Sequence, residues 1–386
     1  IWADVPDVAV IRVGGTYYMS STTMHMSPGL PLMKSTDLVN WELLNYAYDR
    51  LVDNDAINLA NGRQAYGQGS WASSLRYHNG TYYATTFSST SGRTHVYTTR
   101  DIERGDWQAR SFAPSLHDHS LFFDDDGRVY MLYGVGDLRL VELAPDLSGL
   151  QEGGFNEVVI PNASAVAGDN IMLRAEGSQM LKINGTYYVM NITWPRGGMR
   201  TQLIHRSDRI TGPYEGRVIL QDQGVAQGCL IDTPDGHWYA MLFQDNGPVG
   251  RSPWLVPVTW DDGWPVLGAD GRAPGTLDIE DGRTGFANIV ASDEFDRQPG
   301  EALPLAWQWN HNPDDRFWSI GERPGHLRLT TGRTDGDVLG ARNMLTQRTV
   351  GPACSGTVAV DVAHLKDGDV AGLILLQRHY GLVGVI

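Results

Sequence analysis

Apolar and aromatic residues recur along this chain in short alternating runs, and five of these runs start from a polar turn containing glycine. The turns read Gly15-Thr16-Tyr17-Tyr18, Gly80-Thr81-Tyr82-Tyr83, Gly127-Arg128-Val129-Tyr130, Gly185-Thr186-Tyr187-Tyr188 and Gly236-His237-Trp238-Tyr239. A glycine turn leading into aromatic and β-branched residues is a hairpin signal. The glycines are 65, 47, 58 and 51 residues apart. Recurrence near 50 residues is the spacing of propeller blades, four-stranded sheets that cannot bury both faces alone. The pattern therefore predicts an all-β chain that begins with a five-bladed β-propeller. A second recurrence supports it: Ser35-Thr36-Asp37-Leu38 with Trp41, Thr99-Arg100-Asp101-Ile102 with Trp107, and Ser207-Asp208-Arg209-Ile210. In each, a Ser, Thr or Asp side chain is placed to cap free N–H groups ahead of an outer strand. The propeller is expected over residues 1–275, a linker over 276–288, and a β-sandwich over 289–386. Strands of the sandwich are expected at His326–Thr331, Gly356–Val362 and Ala371–Gln377. Gly384-Val385-Ile386 falls inside a further strand-like run, so the natural chain is expected to continue.

Composition narrows the partners. A length of 386 residues favours two domains over one core. A net charge of −15 opposes phosphate backbones and acidic membranes, so nucleic acid and lipid surfaces are excluded as partners and a neutral ligand is favoured. Twelve Trp and 16 Tyr offer flat faces on which such a ligand can stack. The two cysteines, Cys229 and Cys354, fall in different expected domains and imply neither a disulfide framework nor a thiolate metal site. The sequence starts at Ile1 and leaves the compartment open.

Three acidic residues occupy equivalent places. Asp7 precedes the apolar run Val8–Val13, Asp118 precedes Ser120–Phe123, and Glu176 precedes the run leading to Gly185. Each is expected at the start of an innermost strand, facing the propeller axis. Any one of them could simply cap a turn; three in register weaken that reading. Glycosidic cleavage needs such a set: an acid to protonate the leaving oxygen, and a carboxylate to activate water or attack the anomeric carbon. A third carboxylate nearby keeps the acid protonated to higher pH. Glu176, with its longer reach, suits the acid and Asp7 the base.

The segments Val5-Pro6-Asp7-Val8, Lys34-Ser35-Thr36-Asp37-Leu38-Val39-Asn40-Trp41, Gly69-Ser70-Trp71-Ala72, Asp118-His119-Ser120-Leu121-Phe122, Ala175-Glu176-Gly177-Ser178 and Trp260-Asp261-Asp262-Gly263-Trp264-Pro265 resemble glycoside hydrolase family 43. The resemblance runs from residue 1 to about 270. From Ile289, Leu305-Ala306-Trp307-Gln308-Trp309-Asn310 and Lys366-Asp367-Gly368-Asp369-Val370-Ala371-Gly372 resemble the jelly-roll, lectin-like accessory sandwich of its xylosidase-type members. The resemblance implies Asp7 as general base, Glu176 as general acid and Asp118 as the residue that tunes the acid. It implies inversion at the anomeric carbon, with the two working carboxyls roughly 6.5–9.5 Å apart. It also implies Arg251 and Trp71 as substrate-binding residues. No cofactor is required on this reading.

Departures from the family pattern are Val8 and His119 where prolines are usual, Gln227 where many members carry a histidine able to ligate an axial cation, and Met24, His25 and Met26 where aromatics are usual. Met24, His25 and Gln227 join the candidate substrate-binding residues, as does an added aromatic–cation pair, Trp194 with Arg196. The expected activity is exo-acting release of a terminal pentose from arabinoxylan, xylan or xyloglucan, with α-L-arabinofuranose favoured over β-D-xylose. The alternatives are a β-D-xylosidase, a retaining furanosidase, and a carbohydrate-binding propeller without hydrolysis. His117-Asp118-His119 reads as one hydrogen-bonding histidine near the pocket and not as a metal cluster, since successive strand residues point to opposite faces. Asp124-Asp125-Asp126-Gly127 reads as a solvated turn, Cys229 as core, and Asp293, Glu294 and Asp296 as a candidate calcium set. Asn310 to Phe317 is expected to wall the pocket.

Overall fold

A computed structural model describes residues 1–279, 289–298 and 300–386. The expected linker over 276–288 therefore lies largely outside the described residues. Among these residues there is no α-helix, and no helix long and apolar enough to cross a membrane. Five four-stranded antiparallel sheets follow one another, each a simple meander. Their innermost strands are Ala9–Val13, Ser73–His78, Ser120–Phe123, Ile171–Ile183 and Ala226–Asp232.

The repeated glycine turns close the first hairpin of each sheet. Asn79-Gly80 joins His78 to Thr81 with both residues at positive φ (49° and 76°), and Asn184-Gly185 does the same between Ile183 and Thr186. Two left-handed residues in succession match the twist of the flanking strands, which is why Asn-Gly is favoured there. The second recurrence also behaves as expected. Ser35 Oγ accepts the amides of Asp37 and Leu38, Asp37 Oδ1 those of Val39 and Asn40, and Trp41 Nε1 donates to Leu38 O at 2.9 Å.

Each innermost strand touches those of the neighbouring sheets, and the last, Ala226–Asp232, touches the first, Ala9–Val13. The apolar core follows the same order. One cluster lies between the first and second sheets (Leu32, Leu75, Tyr97), and others between the second and third, third and fourth, and fourth and fifth. A further cluster joins the fifth to the first through Val10, Met19, Cys229 and Met241. Sheets that bury both faces against like sheets are consistent with propeller blades. The turn at Asp124 differs from its expected solvation: Asp124 is buried and accepts from Tyr187 Oη at 2.9 Å and Lys182 Nζ at 3.2 Å, tying the third sheet to the fourth.

Beyond residue 289 the strands are short. Trp318–Ser319 pairs with Arg328–Leu329, and Ala371–Leu375 with Gly381–Val385. The strand expected at Gly356–Val362 does not form. Val358, Val360 and Val362 stand exposed and no ladder partner lies beside them among the described residues, and a strand without a ladder is not stable by itself. Gln308–Asn310 pairs on one side with Leu345–Thr346 and on the other with Met26–Ser27, a short excursion from the first sheet. This ladder ties the C-terminal region to the excursion of the first sheet.

Candidate active site

Left-handed residues stand ahead of the first three innermost strands, at Asp7 (φ 55°), Gly69 (92°) and Asp118 (47°), and within the last two, at Gly177 (66°) and Gln227 (61°). A left-handed residue breaks the pleat and turns the chain there; Gly and Asp adopt it readily, Gln at some cost. Glu176 lies where the pairing of Ile171–Ile183 with Thr186–Pro195 slips register, and that irregularity frees its side chain from the alternation of a regular ladder. A Cβ at Gly177 would lie 2.7 Å from the Gln227 side chain, so the fourth and fifth sheets meet closely under Glu176.

Asp7 is buried. Its Oδ1 accepts from Arg251 Nη1 at 2.6 Å, and Oδ2 has no hydrogen-bond partner among the described residues. Burial pushes its carboxyl above the usual range, the charge and hydrogen bond of Arg251 pull it back, Arg200 pulls the same way, and Glu176 pushes up. Arg251 is held in turn. Its amide donates to Asp4 Oδ1 at 2.8 Å, its Nε lies 3.5 Å from Asp245 Oδ1, and its guanidinium sits 4.9 Å from the centre of the Phe243 ring. Arg200 donates Nε to the other Asp245 oxygen at 2.6 Å.

Asp118 is also buried, and its Oδ2 accepts the Gly177 amide at 2.9 Å. Burial pushes this carboxyl up to about 7; His117 opposes that push, while Glu176 and Asp7 add to it. His117 Nε2 lies 3.1 Å from Glu176 Oε2 and 3.8 Å from Asp118 Oδ2, and its ring packs on Phe87 at 4.8 Å. Burial disfavours the imidazolium, but the hydrogen bond to Glu176 and the two carboxyl charges outweigh it and hold His117 above its ordinary value. His119 turns the other way, to Thr85 Oγ1 at 2.8 Å and Leu116 O at 2.9 Å, so one histidine of the pair faces the site; the left-handed turn at Asp118 separates two residues that a regular strand would place on one face.

The donor atoms of His117, Asp118 and Glu176 all lie within 4.8 Å of one another. Hydrogen bonds from His117 and from the Gly177 amide already use this set, and the three read as groups that share protons. Gln227, which stands where the resemblance implied a histidine, packs on Gly177. The candidate calcium set is not built: Asp293 accepts from Arg297, the Phe295 amide and Trp307 Nε1, so both its oxygens are taken. Cys229 is buried, bonded through Sγ to the Val10 amide at 3.2 Å, and burial pushes its thiol up to about 11, which leaves no thiolate for chemistry.

The remaining candidates divide. Trp71 is half-buried and donates its amide to Phe87 O, beside His117. Met24, also left-handed, bridges to Ser70. His25 differs from expectation: Asn310 engages Nε2 at 2.8 Å and the Gly67 amide engages Nδ1 at 3.0 Å, so neither ring nitrogen is left for a ligand. The expected Trp194–Arg196 pair does not form. Arg196 is exposed beyond the end of its strand, and the turn over 196–199 brings Arg200 back over the Trp194 ring at 5.2 Å. Asn310, His311 and Asn312 pack against residues of the first-sheet loops, with Asn312 reaching Ser27, Val52 and Asn58. Arg200, Asp245 and Phe243 escaped the sequence reading because no local motif marks a residue brought in by a ladder partner; Asp245 sits opposite Arg251.

With that geometry in hand, comparison with known proteins is decisive. Residues 1–265 match the model of "Glycosyl hydrolases family 43", and residues 292–386 match "Beta xylosidase C-terminal Concanavalin A-like domain". The chain belongs to glycosyl hydrolase family 43. A solved family 43 structure, "Bifunctional GH43-CE" from Bacteroides eggerthii, superposes with a TM-score of 0.97 at 61% identity over 100% of this chain and 50% of that one. This chain thus spans half the length of that bifunctional protein. A "Putative beta-xylosidase" of Xylanibacter ruminicola is 32% identical over 98% of this chain and 71% of its own length. A "Non-reducing end alpha-L-arabinofuranosidase" of Bacteroides ovatus is 29% identical over 98% and 73%. As a family 43 member, the chain is a glycoside hydrolase.

Proposed function

We propose that this family 43 chain is an exo-acting, inverting glycoside hydrolase that removes terminal pentose from neutral hemicellulose glycans of the arabinoxylan, xylan or xyloglucan type. Asp7 is the general base, Glu176 the general acid and Asp118 the residue that tunes the acid. One observation carries the reading: Asp7 and Asp118 are both buried, and the carboxyl oxygens of Asp118 and Glu176 converge within 4.8 Å of each other. Arg251 favours the ionised form of Asp7 through Oδ1, and Oδ2 is left to take a proton from water as it attacks the anomeric carbon. Glu176 protonates the departing oxygen, and Asp118 stands beside it as the residue assigned to tune that acid. On this reading the five sheets close as a five-bladed propeller around the three residues, a view supported by the cyclic contacts of their innermost strands. The domain limits of 1–275 and 289–386 belong to the same proposal.

α-L-Arabinofuranose is the favoured sugar, with β-D-xylose second. The relatives' names carry both activities. The Trp194–Arg200 shelf, linked through Asp245 to Arg251, supports a pocket that holds a branched backbone beside the cleaved residue. Release rates from the two para-nitrophenyl pentosides test the preference, and a faster xyloside reverses it. NMR of the first-formed sugar tests inversion; a product with retained configuration sinks the assigned roles.

A further inference from the structure

Hydrolysis with inversion leaves the two working carboxyls in the wrong states. As the glycosidic bond breaks, the Glu176 Oε2–H proton moves to the leaving oxygen, and the attacking water gives one proton to Asp7 while its hydroxyl joins the anomeric carbon. Before the next turnover Asp7 must release a proton to solvent and Glu176 must recover one. Glu176 is only partly exposed, with 21% of its side chain accessible.

His117 meets this need. Its Nε2 is 3.1 Å from the same carboxyl, while 44% of its side chain remains accessible. Phe87 from the second sheet supports one side of the ring, Asp118 flanks it at 3.8 Å, and His119 points away. Of the charged groups facing His117, Asp118 and Glu176 both favour a proton on the ring. Its Nδ1 makes no hydrogen bond to another described residue in this arrangement.

We infer that His117 orients Glu176 Oε2 and returns its proton between turnovers, so that it serves as a positioning and proton-transfer residue. The imidazolium gives the Nε2 proton to the Glu176 carboxylate, becomes neutral imidazole, and takes a replacement proton from solvent. No further reactant is needed. The inference rests on the reading of Glu176 as the acid.

The test compares two glycosides of whichever pentose the enzyme cleaves: one with a sugar aglycone, which needs protonation to leave, and one with a 2,4-dinitrophenyl aglycone, which does not. His117→Gln keeps a hydrogen-bonding side chain but cannot titrate. It is expected to slow the sugar aglycone about tenfold more than the dinitrophenyl one. Added imidazole is expected to restore part of the rate of His117→Ala; if that variant does not fold, the His117→Gln ratio alone decides. A ratio equal to wild type, with both substrates slowed alike, overturns the inference. Glu176→Gln separates the two readings. If it changes the ratio and His117→Gln does not, the role of His117 alone fails; if neither changes it, Glu176 is not the acid.

Discussion

Arg251 donates Nη1–H to Asp7 Oδ1 at 2.6 Å, joining positions 244 residues apart in sequence. Burial alone makes Asp7 a poor anion, and this guanidinium is the largest influence against protonation. Arg251→Met is therefore expected to move the acidic limb of the kcat/KM profile upward by about one pH unit or more. The sign follows from the role: Asp7 works only when ionised, so a raised pKa delays the onset of activity. A limb that stays in place shows that Asp7 is not the base.

Asp118 gives a prediction about stability. Its carboxyl is raised to about 7 from an ordinary value of 3.8, so between these limits the native state holds more protons than the unfolded one. Stability from this group is full below about pH 4 and falls as pH rises towards 7. Asp118→Asn keeps an acceptor for the Gly177 amide and tolerates the left-handed backbone. At pH 8 the variant is expected to melt above wild type, by about 2–4 °C for each kcal/mol recovered, while hydrolysis falls sharply. A lower Tm at pH 8 rejects this account.

Acid should loosen the contact between the C-terminal region and the first sheet. Burial pushes His25 down to about 4 and His311 down to about 3, and the two rings lie 4.5 Å apart, tilted by 46°. Unfolded histidines take up protons near 6.5, so stability drops as pH falls from about 6.5 to 4. His25→Gln is expected to be less stable at pH 7 but to lose less on going to pH 5, as read from Tm at the two values. Parallel losses in variant and wild type point to other groups.

Gly69 permits the wall that Met24 and Trp71 share. Its φ is 92°, and a Cβ there would lie 2.3 Å from Met24 O. Gly69→Ala is expected to cost about 1–3 kcal/mol in urea unfolding and to raise KM more than it lowers kcat. Unchanged KM would detach this turn from substrate binding.

Much of this architecture was legible in sequence because it is local. Asn-Gly and Asp-Gly turns fix hairpins within a few residues, and Asp7, Asp118 and Glu176 each announce themselves by standing just ahead of an apolar run. What stayed hidden depends on residues far apart. Arg200, not Arg196, covers Trp194 because a turn reverses the chain between them, and its anchor Asp245 reaches the site only as a ladder partner of Arg251. His25 looked like a ligand because nothing near it in sequence reveals Asn310, 285 residues on. Gly356–Val362 has strand character, yet alternation cannot supply the neighbour that a ladder needs.

The ladder between Met26–Ser27 and Gln308–Asn310 has a consequence for protein engineers. Chimeras that join the first 270 residues of this chain to the tail of another family member keep the joint only if that tail supplies partners equivalent to Asn310 for His25 and Asn312 for Ser27. Swaps that carry both short segments from the same parent keep the joint intact; a crossover placed between them severs it where those partners differ, however similar the parents are elsewhere.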